Sequence, residues 1–197
     1  VYQRKVTAII EPLKEVEEKL EKDKYLSVEH KVLLEDLKRK KRDSMDKISK
    51  NISYNEAIHS ETAKRRGIDN NPTDEHVANM MSIAEMIFQP LRAWVGGPIK
   101  INSFYRSPEL NTAIGGSKTS QHCKGQAMDI DDVYGHKTNA EMYNWIKENL
   151  NFDQMIWEFG TDDNPDWVHI SYVSEDGNRN RCLKAEKKDG KTTYSVI

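Results

Sequence analysis

The chain changes character near residue 50, and that break limits what it can fold into. Residues 1–50 carry 14 Lys and Arg and 11 Asp and Glu, so half of them are charged. Glycine is absent there and Pro12 is the sole proline. Pro12 suits the first turn of a helix. Leu13, Val16 and Leu20 then recur at helical spacing, and Glu15–Lys19 and Glu18–Lys22 are i,i+4 pairs in the favourable order. After a short break around Asp23 to Leu26, Ser27 can cap a second helix with Val28, Val32, Leu33 and Leu37 as its apolar stripe. The expectation for 1–50 is a charged helical hairpin or short coiled coil. Its stripe is too thin to hold a fold alone, so it must pack on the next domain, a second copy or a larger assembly. The basic run Lys38 to Arg42 is flanked by acidic residues and reads as a solvated helix face, not a nucleic-acid contact.

Residues 51–197 have the composition of one globular domain. Ser53 to Glu56 forms a capping box that opens a helix running to about Arg66, where Gly67 ends it. Thr73 caps a longer helix, about residues 74–95, whose buried face is Val77, Met80, Met81, Ala84, Ile87, Phe88 and Leu91. Strands are expected at 99–104, 126–130, 154–159 and 167–172, a short helix from Arg106 to Asn111, and another helix over 139–150. A weak strand near 181–185 precedes a hairpin signal at Lys188-Asp189-Gly190-Lys191. Helices alternate irregularly with short hairpins, which favours an α+β fold: a small, mostly antiparallel sheet with flanking helices.

The net charge of −2 gives no global reason to bind nucleic acid or an anionic membrane. No apolar run is long enough to span a bilayer, and no signal peptide is visible. Cys123 and Cys182 lack a C-x-x-C spacing and read as two free thiols.

The chemistry concentrates in Ser120-Gln121-His122-Cys123-Lys124-Gly125-Gln126-Ala127-Met128-Asp129. His122 follows a Gly/Ser/Thr-rich loop, and Gly125 lets the backbone turn sharply and pass close to whatever His122 binds. In the strand that follows, Ala127 and Asp129 share one face. Histidine and aspartate on adjacent segments supply nitrogen and oxygen to one zinc ion, and a catalytic site needs a third protein ligand with one open position. His169 is the candidate third ligand, because it interrupts an otherwise apolar and aromatic strand. His30, His59, His76 and His136 lack such company and are assigned to surfaces or caps.

These residues resemble the zinc D-Ala-D-Ala carboxypeptidase family, which includes bacterial carboxypeptidases, D,D-dipeptidases and phage endolysins and shares its fold with the hedgehog signalling domain. The similarity lies in Ser120-x-His122-x-x-Gly125-x-Ala127-x-Asp129 with a later Trp167-x-His169. It extends to Ser53 to Ala57, Gly67 to Asn70, Pro72-Thr73, Asn102-Ser103-x-Tyr105-Arg106-Ser107-Pro108, Gly115-Gly116 and Asp153-Gln154-x-Ile156-Trp157-Glu158, over about residues 52–175. The resemblance implies a Zn2+ site on His122, Asp129 and His169, and an oxyanion-steadying role for Arg106. It also implies substrate contacts from Ser103, Tyr105, Ser120 and Gln121, with the peptidoglycan stem peptide as the substrate.

The general base is where the chain departs from the family pattern. Many members carry glutamate three residues before the last histidine, and here that residue is Asp166. Motif position favours Asp166. Glu158, on the preceding strand in an apolar setting, is the competitor. The expected activity is a peptidoglycan peptidase, carboxypeptidase or endopeptidase, of a phage-associated lysin acting at the bacterial cell wall from the virion or the host cytoplasm. The rival reading is a zinc-bearing structural module of a virion, joined to other proteins or to itself through residues 1–50.

Overall fold

The computed structural model describes residues 47–197, together with Val32 and Asp36, both helical. The chain divides into two units, Val1–Asp46 and Lys47–Ile197, and the fold below is that of the second. The hairpin expected over 1–50 falls otherwise outside the described residues, except that Lys47–Ser49 form a strand, β1. It pairs antiparallel with β2, Ile52–Ser53.

The helical layer follows from its caps. Ser53 Oγ accepts from the Glu56 amide and starts α1, Tyr54–Ile58. The single helix expected to run to Arg66 is two helices instead. His59 is extended, Ser60 Oγ accepts from the Ala63 amide, and α2, Glu61–Arg66, begins afresh before ending at left-handed Gly67. A serine cap competes with helix continuation, and at Ser60 the cap wins. Thr73 caps α3, Asp74–Ile83. The helix continues as a wider π turn over Ala84–Phe88 and then as α4, Gln89–Val95. Pro90 explains the widening: it has no N–H to offer and its ring crowds the preceding turn, so the Gln89 amide reaches back to Ala84 O.

The main sheet has six strands in the order β3-β4-β6-β5-β7-β8. They are β3 Lys100–Ser103, β4 Ala127–Asp131, β5 Gln154–Glu158, β6 Trp167–Ser171, β7 Arg181–Lys188 and β8 Lys191–Val196. Only β5 and β7 run parallel; the other pairs are antiparallel. The fold is α+β. The weak strand expected at 181–185 is longer, because the hairpin turn at Asp189-Gly190 lets β8 zip along it. Two further helices complete the unit: α5, Pro108–Ala113, capped by Ser107, and α6, Asn139–Asn149, opened by a Thr138–Glu141 capping box.

Register divides the sheet into two faces. One carries Met128, Ile130, Met155, Trp157, Val168 and Ile170, all buried. It belongs to the core with Met142, Tyr143 and Ile146 of α6, where Tyr143 meets Trp157 edge-on at 5.4 Å. Each such side chain contributes roughly 1.5–3 kcal/mol by leaving water. The other face runs Ser103–Asp129–His169–Ile156–Leu183 from strand to strand. That second face carries the polar residues.

The start of β7 is latched. Asp153 is buried, and Arg179 donates to both its carboxylate oxygens at 2.7 and 2.6 Å. Gln121 donates to it at 2.9 Å, and the Asn180 and Arg181 amides bond to Phe152 O and Asp153 O. Burial pushes the Asp153 carboxyl up, but the bonds from Arg179 and Gln121 outweigh it and hold the group below the usual aspartate range. A depressed folded-state pKa adds stability that is present above the ordinary range and lost on acidification. Arg179→Ala is therefore expected to cost about 2–3 kcal/mol in urea unfolding near neutral pH, because it strands a buried carboxylate. The gap from the parent chain should shrink as the pH falls below the usual aspartate range.

Candidate metal centre

The second face of the sheet and the loop from Ile114 to Gln121 enclose a cleft of about 720 Å³. His122, Asp129, His169, Arg106 and Glu158 all line it. His122 sits in a short 3₁₀ turn, Gln121–Lys124, closed by Gly125 at φ +68°. A Cβ at position 125 would meet His76 O at 2.4 Å, so both the backbone sign and the space demand glycine. This is the close backbone approach expected of Gly125, though the neighbour is helix α3 and not the ligand site.

Asp129 and His169 face each other across β4 and β6. His169 Nδ1 lies 2.8 Å from Asp129 Oδ1. His122 Nε2 lies 3.3 Å from the same oxygen and 3.3 Å from His169 Nδ1. Three metal-binding atoms thus converge within 4.8 Å of one another. Ligand atoms on a tetrahedral zinc with bonds of 2.0–2.1 Å stand about 3.3 Å apart, so two of the three separations match and the third is only slightly closed.

Proton bookkeeping points the same way. His122 Nδ1 is 2.6 Å from Phe104 O, a carbonyl that can only accept, so that nitrogen carries the hydrogen and Nε2 turns a bare lone pair toward Asp129 and His169. This is the outer hydrogen bond that orients a metal-binding histidine. Burial holds His122 below its usual pKa and so keeps it neutral. Burial also opposes ionisation of Asp129, but its contacts with His122 and His169 outweigh that and keep the carboxyl well below the usual range. Lone pairs and negative charge packed together in a buried pocket are the environment of a divalent cation. The donor set fits zinc.

Arg106 donates to Asp129 Oδ2 at 2.5 Å and to Ser103 Oγ at 2.7 Å. Its backbone is held on both flanks by buried Asn70, which donates to Tyr105 O and accepts from the Ser107 amide at 2.6 Å. Asn70 was visible in the sequence only as part of a motif, and nothing in its spacing revealed this role.

Glu158 lines the cleft from β5, where it shares a face with Ile156, and pairs in register with Trp167. That makes it a diagonal neighbour of His169 on the same face, at roughly 7–8 Å between backbones. It is almost wholly buried, and its carboxylate makes no hydrogen bond or ion pair with any described residue. Burial pushes its carboxyl up, as does Asp129, while His169 opposes.

Three of the residues expected at the site from the sequence are not among those that line the cleft. Asp166, favoured by motif position as the base, is exposed and lines a separate hollow with Asp162, Lys184 and Lys187. Its amide donates to Glu158 O and its carbonyl accepts from Asn139, which holds it at the mouth of β6, three residues from His169 and off the cleft. Ser103 does not line the cleft; it supports Arg106. Tyr105 is buried with its hydroxyl 3.2 Å from His76 Nδ1, and with Ser103 it lines a hollow that shares Arg106 and Ile114 with the cleft. Ser120 and Gln121 do line it. So do Phe159, Arg181, Leu183 and Tyr194, which sequence reasoning missed because their positions depend on how β5, β7 and β8 pair. Cys123 and Cys182 are free thiols.

The family model for peptidase M15 matches residues 50–171, more than half of the chain. The chain belongs to the peptidase M15 family. No curated protein matches the chain. M15 membership makes it a metallopeptidase of a zinc-dependent family, and His122, Asp129 and His169 are the described residues that could hold the ion. The M15 match ends at Ser171, so β7 and β8 lie beyond it.

Two measurements test this centre. The purified protein should bind one zinc, and His122→Ala or His169→Ala should weaken binding more than about 100-fold in chelator competition. Gly125→Ala should destabilise the fold by at least about 2 kcal/mol in urea titration and lower zinc affinity as well, because it displaces the turn that carries His122.

Proposed function

We propose that this M15 peptidase hydrolyses an amide bond in the stem peptide of bacterial peptidoglycan, with His122, Asp129 and His169 holding zinc and Glu158 as the general base. The observation that carries the reading is Glu158, a mostly buried residue that lines the cleft on the same sheet face as three convergent metal-binding atoms. Bound there, zinc supplies Lewis acidity, polarising the scissile carbonyl and acidifying the water that attacks it.

The protein's own residues do the rest. Glu158, raised by burial toward a useful basicity, takes a proton from the attacking water as the new C–O bond forms. It returns that proton to the amide nitrogen as the C–N bond breaks, so the products are a carboxylate and an amine. Arg106 fixes Asp129 through Oδ2 and sets a permanent positive charge beside the position where the oxyanion develops. Ser120 and Gln121 offer hydrogen bonds along the cleft, with Gln121 oriented by Asp153.

The substrate class rests on the family and on the resemblance of residues 52–175 to its phage-associated members. The proposal extends to a phage-borne lysin acting at the cell wall, with residues 1–50 as the attachment to virion proteins or to a second copy. The half-charged, glycine-free composition of those residues supports an attachment role.

Muropeptide release from purified cell walls tests the roles. Glu158→Gln should retain zinc and lose about 10²–10⁴ in kcat, whereas Asp166→Asn should stay within about twofold of the parent. The acid limb of kcat/KM should lie above the ordinary glutamate range and respond to Glu158 alone. Equal losses from both substitutions, or none, would overturn the assignment of the base.

A further inference from the structure

The cleft has a wall that lies outside the family match. Arg181, Leu183 and Tyr194, from β7 and β8, all line it. Among the described residues that line the cleft, Arg106 and Arg181 are the permanent cations. They are in different situations. Arg106 is committed to Asp129 and Ser103. Arg181 makes no side-chain hydrogen bond or ion pair with any described residue.

The chain keeps Arg181 uncommitted while fixing where it stands. Asp153, the buried carboxylate one residue before Gln154, is already gripped bidentately by Arg179. The amide of Arg181 donates to Asp153 O, and Arg181 pairs in register with Gln154 of β5. Glu158, an acid that lines the cleft, stands four residues beyond Gln154 on β5. Between Arg181 and His169, the floor is Ile156 and Leu183, both apolar, with Gln154 of β5 beside Arg181. The cleft therefore runs from a catalytic carboxylate and metal ligands, over an apolar floor, to an unpaired guanidinium.

We infer that Arg181 is a specificity-determining residue that binds a free carboxylate of the substrate peptide two to three residues from the bond that is cut. The distance follows from the sheet. Arg181 is two strands and one pleat repeat away from His169, which is roughly 12 Å between backbones. Extended peptide covers about 3.3–3.6 Å per residue, so this gap spans about three residues. The length of the arginine side chain shortens that gap, which places the bound carboxylate about two to three residues from the cut. Guanidinium presents a planar pair of donors suited to a carboxylate. The placement therefore favours internal cleavage over release of a single terminal residue. This inference rests on the peptide-hydrolase reading, but its test reads binding separately from turnover.

The test measures binding in the Glu158→Gln background, where peptide is held uncut. The probes are synthetic stem peptides with each carboxyl in turn either free or amidated. For one carboxyl, two to three residues from the bond that the parent enzyme cuts, Arg181→Met should weaken binding about tenfold. Amidating that carboxyl should weaken binding to the Arg181 protein by a similar factor and leave Arg181→Met unaffected. Arg181→Lys should recover part of the loss. If Arg181→Met weakens free and amidated peptides alike, changes neither, or no peptide binds, the inference is wrong. If the binding pattern holds but the parent chain cuts none of these peptides, the hydrolase reading fails and the carboxylate site stands.

Discussion

The antiparallel pairing of Asp129 with His169 is the contact on which the rest of the site depends. Strand register has a period of two, so slipping β4 against β6 by one residue would send Asp129 toward the core and bring Met128 to the cleft. The core prevents that slip. Met128 and Ile170 are paired in the next register position and are fully buried, so the apolar face and the metal-binding face enforce each other. His122 is then delivered from outside the sheet by a turn that only glycine can close.

This arrangement concentrates unfavourable electrostatics in one place. Two histidines and an aspartate, each with little access to water, point their binding atoms at a common centre. The backbone carbonyl of Phe104 and the guanidinium of Arg106 satisfy the outward-facing atoms of His122 and Asp129, and the inward-facing ones are left for an ion. Glu158 adds a fourth buried polar group with no protein partner, and burial biases it toward the proton. Groups that destabilise an empty fold are here the ones a hydrolytic metal centre needs.

Much of this was legible in the sequence, and the reasons differ by residue. The cluster of His122, Asp129 and His169, which could hold a metal, was readable because His122 and Asp129 bracket a glycine turn and a strand, and because His169 breaks an apolar alternation. Helix starts at Ser53, Thr73 and Thr138 were readable because caps are local. The break at Ser60 was not, since a serine within a helical pattern can either cap or point outward. The sequence left Asp166 and Glu158 both open as the base for a geometric reason: position in a motif fixes distance along the chain, whereas the face of the sheet decides which carboxylate lines the cleft. Asp166 ends up outside the strand and Glu158 within it, on the face of His169. The wall formed by Arg181, Leu183 and Tyr194 was hidden because β7 joins the sheet by parallel pairing with β5, a long-range contact that no local pattern announces.

X-ray absorption at the zinc edge, on the full chain loaded with one equivalent of the metal, tests the centre most directly. The account predicts two imidazole nitrogens and oxygen scatterers at about 2.0–2.1 Å, with one ligand exchangeable by small anions. Sulfur at about 2.3 Å, which would bring in Cys123, or a closed shell of four protein ligands would contradict it.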